Sequence, residues 1–471
     1  MNIVFITPPY GIEERYGTKM RIKKGFLPPL GLALIATVLK EAGHNVKILD
    51  LPVYDYTLGD LKNILKSFNP DIIAFSAITP TMTKAFQLAE HLRGEFPDTT
   101  FVFGGLHPSL FPHDTLKHPV VDIVVFGEAE YTFLELAGAL EKGKPLAGIK
   151  GVAYKERKSN KIVMNQPRPI IKDINELPIA SREFFDMERY APLPNQYKAL
   201  PVTNMVTGRG CPYGKCTFCF EAGDLKPVWR RMSVDRAVEE IRYLVDDYKV
   251  KEISFWDDVF LVGALWIKEF HDALKREKLD IYWSCYGYAN YLTYDLLKLA
   301  RDAGCWNIFY GIEAGNQKLL DAIKKGLKKE QIKKVVKWTH DLGIESRGSF
   351  ILGLPGETPE LARETVDFAI ELDLDYAQFT LNTPFPSTEM WKTGSQQGTL
   401  DANFDKYSVH NAVYLPNGYK NKEELEQMRR YAYRRFYLRP SFAWKHIRRI
   451  KSFEDIKKYI AGAKFLMGLG I

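Results

Sequence analysis

The segment Thr207-Gly208-Arg209-Gly210-Cys211-Pro212-Tyr213-Gly214-Lys215-Cys216-Thr217-Phe218-Cys219 decides how this chain is read. It grows out of a strand expected near 203–207 and gathers three of the five cysteines into nine residues. An odd number of thiols, most of them crowded together, favours metal or redox chemistry over a disulfide framework. A structural zinc closes its shell with four ligands, and no fourth Cys or His stands nearby. Iron–sulfur clusters also usually take four thiolates. Three on a Gly- and Pro-rich loop can hold three irons of a [4Fe–4S] cluster and leave the fourth open, as a catalytic cluster requires. Three buried thiols or an incomplete zinc knuckle are the alternatives.

Working outward, the alternation of strand and helix continues on both sides of the loop. From residue 201, strands are expected at 203–207, 252–256, 281–286, 307–312, 345–352 and 376–381, with helices such as 234–248 and 329–342 between them. Six such units predict a partial (β/α)6 barrel over residues 199–400, with its chemistry at the carboxyl ends of the strands. Upstream, residues 1–140 predict strands at 3–6, 45–51, 71–76, 100–103 and 122–126, and helices including 29–42 and 83–96. That is the signature of a doubly wound, Rossmann-like α/β domain, which binds ligands at the carboxyl ends of its strands. Residues 141–198 read as a hairpin and linker, and 401–471 as a helical extension.

The order of motifs after the cysteines resembles the radical S-adenosylmethionine (SAM) superfamily, and more narrowly its subgroup with an N-terminal cobalamin (B12)-binding domain. That signature places three and then two residues between its cysteines. Here four and then two stand between Cys211, Cys216 and Cys219, so the loop must bulge by one residue. The resemblance implies that these three hold a [4Fe–4S] cluster and that Phe218 borders the SAM adenine. It further implies that Asp257, in Trp256-Asp257-Asp258, contacts the SAM methionine moiety. Glu313, in Gly311-Ile-Glu-Ala-Gly315, matches the SAM-contacting acid, and Gly353, in Gly348-Ser-Phe-Ile-Leu-Gly-Leu-Pro-Gly-Glu357, the motif beside the adenine. A carboxylate can accept hydrogen bonds from an ammonium or a ribose, and glycine lets backbone approach a ligand. Cys285 and Cys305 are expected in the core, because a second cluster needs more thiolates than two.

In the N-terminal domain the resemblance rests on Pro8-Pro9, Pro28-Pro-Leu-Gly-Leu32, Gly104-Gly-Leu-His-Pro108 and Gly127-Glu-Ala-Glu130. It implies cobalamin contacts from Ser76, Thr79, Gly104, Gly105, His107, Gly127 and Glu128. The Asp-x-His-x-x-Gly signature of a lower axial histidine is absent, since Ile6-Thr-Pro-Pro-Tyr-Gly11 follows the first strand. His107 can be a turn residue with a satisfied imidazole or a ligand. Glu128 and Glu130 can be first-turn helix acids or border a nucleotide tail.

Composition sets outer limits. The 471 residues suit two or three domains, and 46% hydrophobic with 26% charged content is that of a soluble globular protein. No apolar run reaches the roughly 18 residues of a membrane span, and the chain opens on a strand-like run rather than a secretory signal, so a cytoplasmic location is expected. The net charge of +7 concentrates late, where Arg429-Arg430, Arg434-Arg435, Arg439, Arg448-Arg449 and Lys451 interleave with Tyr431, Tyr433, Phe436, Tyr437, Phe442 and Trp444. With the apolar end around Phe465-Leu-Met467, this resembles an interfacial segment peripheral to a membrane. A helix capping the barrel is the plainer reading; a nucleic-acid surface ranks third, and no nucleic-acid partner is expected.

The family resemblance implies an enzyme that reductively cleaves SAM, abstracts hydrogen from an unactivated carbon and methylates it from cobalamin. Radical cyclisation, carbon–carbon coupling or rearrangement is the alternative within that chemistry. A non-catalytic cobalamin-binding protein is the alternative outside it. Expected partners are a small-molecule or lipid substrate and an electron donor such as flavodoxin or ferredoxin.

Overall fold

Ile3, Val4, Phe5 and Ile6 are apolar without alternation, which suits a strand covered by helices on both faces. In the computed structural model they form the centre of β1 (Asn2–Thr7), and all four are buried. The structure describes residues 1–17, 25–156, 159–223, 228–448, 450 and 453–468. β1 lies between β2 (Asn45–Asp50) and β3 (Ile72–Ser76), followed by β4 (Thr100–Gly104) and β5 (Ile123–Val125), all parallel. The order β2-β1-β3-β4-β5 reverses direction between β1 and β3, the place where an open α/β sheet offers a ligand crevice. Phe75, Phe101 and Phe103 fill the core on one face, packed with Leu61, Leu65, Ala85 and Leu92 from the helices.

The expected hairpin is present as β6 (Val152–Lys155) and β7 (Ile162–Met164), and it is part of this sheet. β6 pairs antiparallel with β5 and covers what would otherwise be a free edge. The first compact unit therefore runs past residue 140: it comprises Met1–Gly11, Phe26–Tyr190 and Phe404–Lys406. The remaining described residues form the second unit, including the short helix Ile12–Tyr16.

The second unit is built on a six-stranded parallel sheet in the order β15-β14-β13-β12-β11-β8. Its strands are β8 (Val202–Met205), β11 (Glu252–Phe255), β12 (Tyr282–Gly287), β13 (Cys305–Glu313), β14 (Glu345–Leu352) and β15 (Tyr376–Leu381). Two-residue strands β9 (Gly208–Arg209) and β10 (Arg230–Arg231) pair at the exit of β8. Along β14 side chains alternate strictly between buried and half-buried. The buried set faces the helices, as the Tyr310 hydroxyl on neighbouring β13 shows by bonding Thr339 Oγ1 at 2.7 Å. The half-buried set faces the lumen.

The open edge at β15 is covered by the helix Lys422–Tyr437. The Phe379 N–H donates to the Tyr433 hydroxyl and the Ala377 N–H to that of Tyr437, which returns a 2.7 Å bond to the Ala377 carbonyl. Tyr433 and Phe436 are buried in this contact, so part of the basic–aromatic stretch caps the barrel. The stretch is helical only from Lys422; residues 398–400 and 414–416 pair as an antiparallel ribbon before it. Arg449, Lys451 and the side chains of Phe465 and Leu466 lie outside the described residues. No helix among the described residues is long and apolar enough to cross a membrane.

Candidate active site

The cysteine loop leaves β8 through Thr207, which is fixed before the first thiol. The carboxylate of Asp257, just beyond β11, accepts from the Thr207 N–H at 3.0 Å and from its hydroxyl at 2.7 Å. Burial pushes the Asp257 carboxyl up to about 6 against those hydrogen bonds. Asp257, expected at SAM, is thus engaged in shaping the loop. Its neighbour Asp258 is exposed and has no hydrogen-bond partner among the described residues, yet lies near enough to Cys219 and Glu221 to raise both. Sequence alone does not say which of two adjacent acids turns inward.

The extra residue between Cys211 and Cys216 is absorbed at Gly214, in the left-handed conformation with φ +53°. Beside it, Tyr213 docks outward: its hydroxyl donates to the Lys324 carbonyl at 2.8 Å, and its ring lies 4.9 Å from that of Tyr288. The Glu221 carboxylate accepts from the Cys211 N–H at 3.1 Å, and the Thr217 N–H donates to the Ile323 carbonyl at 3.0 Å. The loop is therefore held from both ends and from the 323–326 turn.

Cys216 is buried, and Cys211 and Cys219 are half-buried. Burial pushes the Cys216 thiol up to about 11, with a nearby Cys211 adding to the shift, and the Cys219 thiol up to about 12, with Cys216 adding. Thiols this hard to ionise need a positive centre to become ligands. Among the described residues no three Cys, His, Asp or Glu side chains converge on one metal ion. A four-iron cluster does not ask for that, because each of its cysteines binds a different iron. Three neighbouring thiols on a pinned loop, with no fourth, fit such a cluster.

The floor beside the loop carries a cation that the sequence did not announce. Lys325 Nζ lies 2.8 Å from Glu313 Oε1, both side chains buried, and 5.7 Å from the centre of the Phe218 ring. Burial alone would lower the Lys325 ammonium, but the Glu313 carboxylate and the neighbouring Cys216 outweigh it and the net shift is upward. Glu313 ends β13 after a bulge, at φ +70°, an uncommon conformation for a non-glycine residue. Gly311 makes room for the pair: a Cβ there would lie 2.5 Å from Glu313 Oε1 and 3.0 Å from Lys325 Nζ. Cys211, Cys216, Cys219, Phe218, Glu313 and Lys325 are thus brought together. Gly353 (φ +82°) spends its N–H on Glu357 at 2.6 Å, and a Cβ there would meet Leu425 at 2.9 Å. Its carbonyl accepts from Asn382. Gly353 therefore shapes the turn after β14. Cys285 and Cys305 are buried in the wall.

In the first unit, the residues expected to border cobalamin cluster at the carboxyl ends of β3, β4 and β5. Gly105 (φ +94°) lets two of these turns touch, since a Cβ there would lie 2.7 Å from the Ala77 carbonyl oxygen. Ser76 ends β3 and Gly104 ends β4. His107 Nδ1 lies 3.2 Å from Thr79 Oγ1, and the ring packs against Phe111 and Phe404. Burial lowers this imidazole to about 4, so it is neutral at pH 7, in line with a satisfied turn histidine. Glu128 accepts from the Ile171 N–H at 2.7 Å, and Glu130 opens the helix Glu130–Glu141. Gly127 (φ +80°) has open space where its Cβ would stand, which gives the rim a gap beside the β5 turn. Small residues at the carboxyl ends of β3, β4 and β5 leave backbone close to the surface there, which fits a bulky corrinoid with amide groups at its edge.

Residues 23–137 match the B12 binding domain family, and residues 205–369 the radical SAM superfamily. An uncharacterized methyltransferase of Pyrococcus horikoshii is 36% identical over 95% of both chains. The anaerobic magnesium-protoporphyrin IX monomethyl ester cyclase of Rubrivivax gelatinosus is 28% identical over 94% of this chain and 78% of its own. The same fold is found in the radical SAM methyltransferase TsrM from Kitasatospora setae, solved with cobalamin and a [4Fe–4S] cluster. There the TM-score is 0.68 at 19% identity, over 91% of this chain and 85% of that one. The chain belongs to the radical SAM superfamily, in the group that carries an N-terminal B12-binding domain.

Proposed function

We propose that this enzyme cleaves SAM reductively and uses the radical so formed to methylate an unactivated carbon, with cobalamin as methyl carrier. When bound, the cluster supplies an electron, SAM the abstracting radical and the corrinoid the methyl group. The protein holds, orients and shields these groups. Cys211, Cys216 and Cys219 hold the cluster on a loop fixed by Asp257, Glu221 and Tyr213. Glu313 and Lys325 offer opposite charges to the zwitterionic end of SAM, and Asp258 offers a carboxylate with no protein partner among the described residues. In the first unit, the turns at Ser76, Gly104–Gly105 and Gly127 border the corrinoid. His107, tied to Thr79 and packed against Phe111 and Phe404, would help shape the wall of that site.

The observation that carries this reading is the buried Glu313–Lys325 pair beside the three-cysteine loop. Its test is anaerobic reconstitution followed by reduction with SAM whose methyl group is deuterated. The expected result is release of 5′-deoxyadenosine together with a product carrying deuterium. Deoxyadenosine without label in the product would favour the second reading, radical cyclisation or coupling, which the cyclase relative supports. Cobalamin binding with no SAM cleavage would leave a non-catalytic corrinoid-binding protein.

The electron donor is a low-potential carrier of the flavodoxin or ferredoxin type. Contact with a membrane surface falls to Leu438, Trp444 and Ile447, which are exposed, since Tyr433 and Phe436 are buried in the cap.

A further inference from the structure

Among the described residues, one guanidinium in the barrel lumen has no anion beside it. Arg347 sits on the inward side of β14, in register with Phe309 of β13, which is itself in register with Tyr286 of β12. Its guanidinium carbon lies 5.0 Å from the centre of the Phe309 ring, and the Phe309 and Tyr286 rings meet edge to face at 5.4 Å. Among the described residues the Arg347 guanidinium makes no hydrogen bond and no ion pair. Two other enclosed cations of this unit are matched, Lys325 by Glu313 and Arg231 by the carbonyls of Val262 and Phe260, whereas Arg429 on the capping helix also keeps buried nitrogens with no hydrogen-bond partner among the described residues. Loss of hydration lowers the Arg347 guanidinium, only partly offset by the hydroxyls of Tyr286, Tyr437 and Tyr376. Arg347 is half-buried and faces an opening, so its guanidinium is partly stripped of water yet still reachable, and charges so placed in proteins are usually paired.

The surroundings of Arg347 open inward rather than close over it. Tyr286 keeps 37% of its surface and Trp256, continuing the inward side of β11, keeps 38%, although both are on the barrel strands or at their ends. The Tyr286 hydroxyl and the Gln378 amide have no hydrogen-bond partner among the described residues. Gln378 is inward on β15 and in register with Ser349, two residues beyond Arg347. One inward step from Phe309 stands Gly311, whose missing Cβ leaves room for the Glu313–Lys325 pair. The arginine layer thus adjoins the layer assigned to SAM. Phe309, Tyr286 and Trp256 offer flat apolar faces, and Arg347 offers a fork suited to carboxylate or phosphate.

We infer that the lumen receives a substrate with a flat apolar body bearing an acidic group, carboxylate or phosphate, and that Arg347 takes the acid. The inference deepens the functional reading above and rests on it for the identity of the site. Its test is equilibrium dialysis of the reconstituted full chain with 2-naphthoate, 2-naphthyl phosphate and the uncharged 2-naphthamide. At least one acid should bind about tenfold or more tightly than the amide, as a charge-assisted pair predicts. Which acid wins assigns carboxylate or phosphate. Arg347→Met should abolish the preference while leaving amide binding in place, Arg347→Lys should keep part of it, and Phe309→Leu should weaken all three probes alike. Equal binding of acids and amide by the unmodified enzyme, or a preference that survives in Arg347→Met, would overturn the inference. Should Arg347→Met fail to fold, judged by iron content and amide binding, Arg347→Gln takes its place. Probe binding needs no turnover, so an enzyme that binds the acids but never cleaves SAM refutes the functional reading alone.

Discussion

Glu313 and Lys325 form a buried ion pair, 2.8 Å from oxygen to nitrogen, twelve residues apart in sequence and directly beside the cysteine loop. Removing one member of such a pair leaves the other uncompensated, at a cost of about 3–5 kcal/mol. Glu313→Gln and Lys325→Met should each destabilise the barrel by that order, and the double variant by clearly less than the sum. Denaturant titrations followed by tryptophan fluorescence measure the cycle. SAM affinity should fall roughly ten- to a hundredfold in Glu313→Gln while iron content stays normal. Additive stability losses with unchanged SAM affinity would mean that the pair neither couples nor binds.

Gly214 carries the extra residue of the cysteine loop in a left-handed conformation, where a Cβ would lie 3.3 Å from the Cys211 carbonyl oxygen. Gly214→Val should strain the loop by about 1–2 kcal/mol, because β-branched residues resist positive φ. The expected consequence is a protein that folds but loses iron faster in air than the unmodified enzyme. Iron and sulfide analysis against exposure time measures it. Identical loss rates would show that the loop tolerates the change and that the bulge lies elsewhere.

Glu357 is buried, accepts from the Gly353 N–H and the Tyr419 hydroxyl, and is pushed up to about 7 by burial. Its folded value exceeds the unfolded one, so between roughly pH 4.5 and 7 the folded state holds more protons, and stability falls as pH rises. Above the folded value the loss levels off at about 3 kcal/mol, the product of the shift and 1.36 kcal/mol per unit. Glu357→Gln keeps the acceptor without the charge. It should match the unmodified enzyme near pH 4 and exceed it in unfolding temperature at pH 8. Asp257, raised to about 6, tilts both proteins alike, so their difference isolates Glu357. Parallel curves would show that Glu357 stays protonated or is solvated.

The strands of both sheets were legible because apolar runs are punctuated by Gly, Pro and polar turns, and the cysteine spacing located the chemistry. What escaped depends on contacts distant in sequence. The β6–β7 hairpin was visible locally, but its place in the sheet depends on the free edge of β5. Lys325 lies on a turn with no periodic relation to Glu313, and only folding brings them together. Of Asp257 and Asp258, the one that turns to Thr207 is set by strand register. Arg347 looks like any arginine on a half-buried strand until its neighbours are known. Tyr433 and Tyr437 suit interfacial aromatics by composition, and the plainer reading of the stretch as a cap is the one they fulfil on β15.

The His107 ring is buried against Phe111 and Phe404, with Nδ1 tied to Thr79. Bound cobalamin, reduced to Co(II), should therefore show an electron paramagnetic resonance spectrum without imidazole nitrogen coupling. His107→Phe preserves the ring packing and should leave that spectrum unchanged. Nitrogen coupling that vanishes in this variant would make His107 the lower ligand.

With Tyr433 and Phe436 buried against β15, the apolar surface left to the C-terminal stretch is narrower than its composition implies. Leu438 keeps 68% of its surface, Trp444 58% and Ile447 57%, and the Arg448 guanidinium lies 4.8 Å from the centre of the Trp444 ring. A cation over an indole is the arrangement that lets an aromatic side chain sit at a headgroup layer with its charge still at the lipid phosphates. Each basic residue near an anionic surface adds about 1 kcal/mol, and this part is screened by salt. Burial of three apolar side chains adds a part that salt does not remove. Co-sedimentation should thus show binding to anionic vesicles that weakens but persists at high salt. Replacing Leu438, Trp444 and Ile447 together by Ser should remove the persistent part and leave the screened one. None of the three bonds the barrel edge, which Tyr433 and Tyr437 hold, so iron content serves as the control for folding. No binding by the unmodified enzyme to anionic or neutral vesicles would reduce the stretch to a cap and leave a soluble substrate as the natural choice.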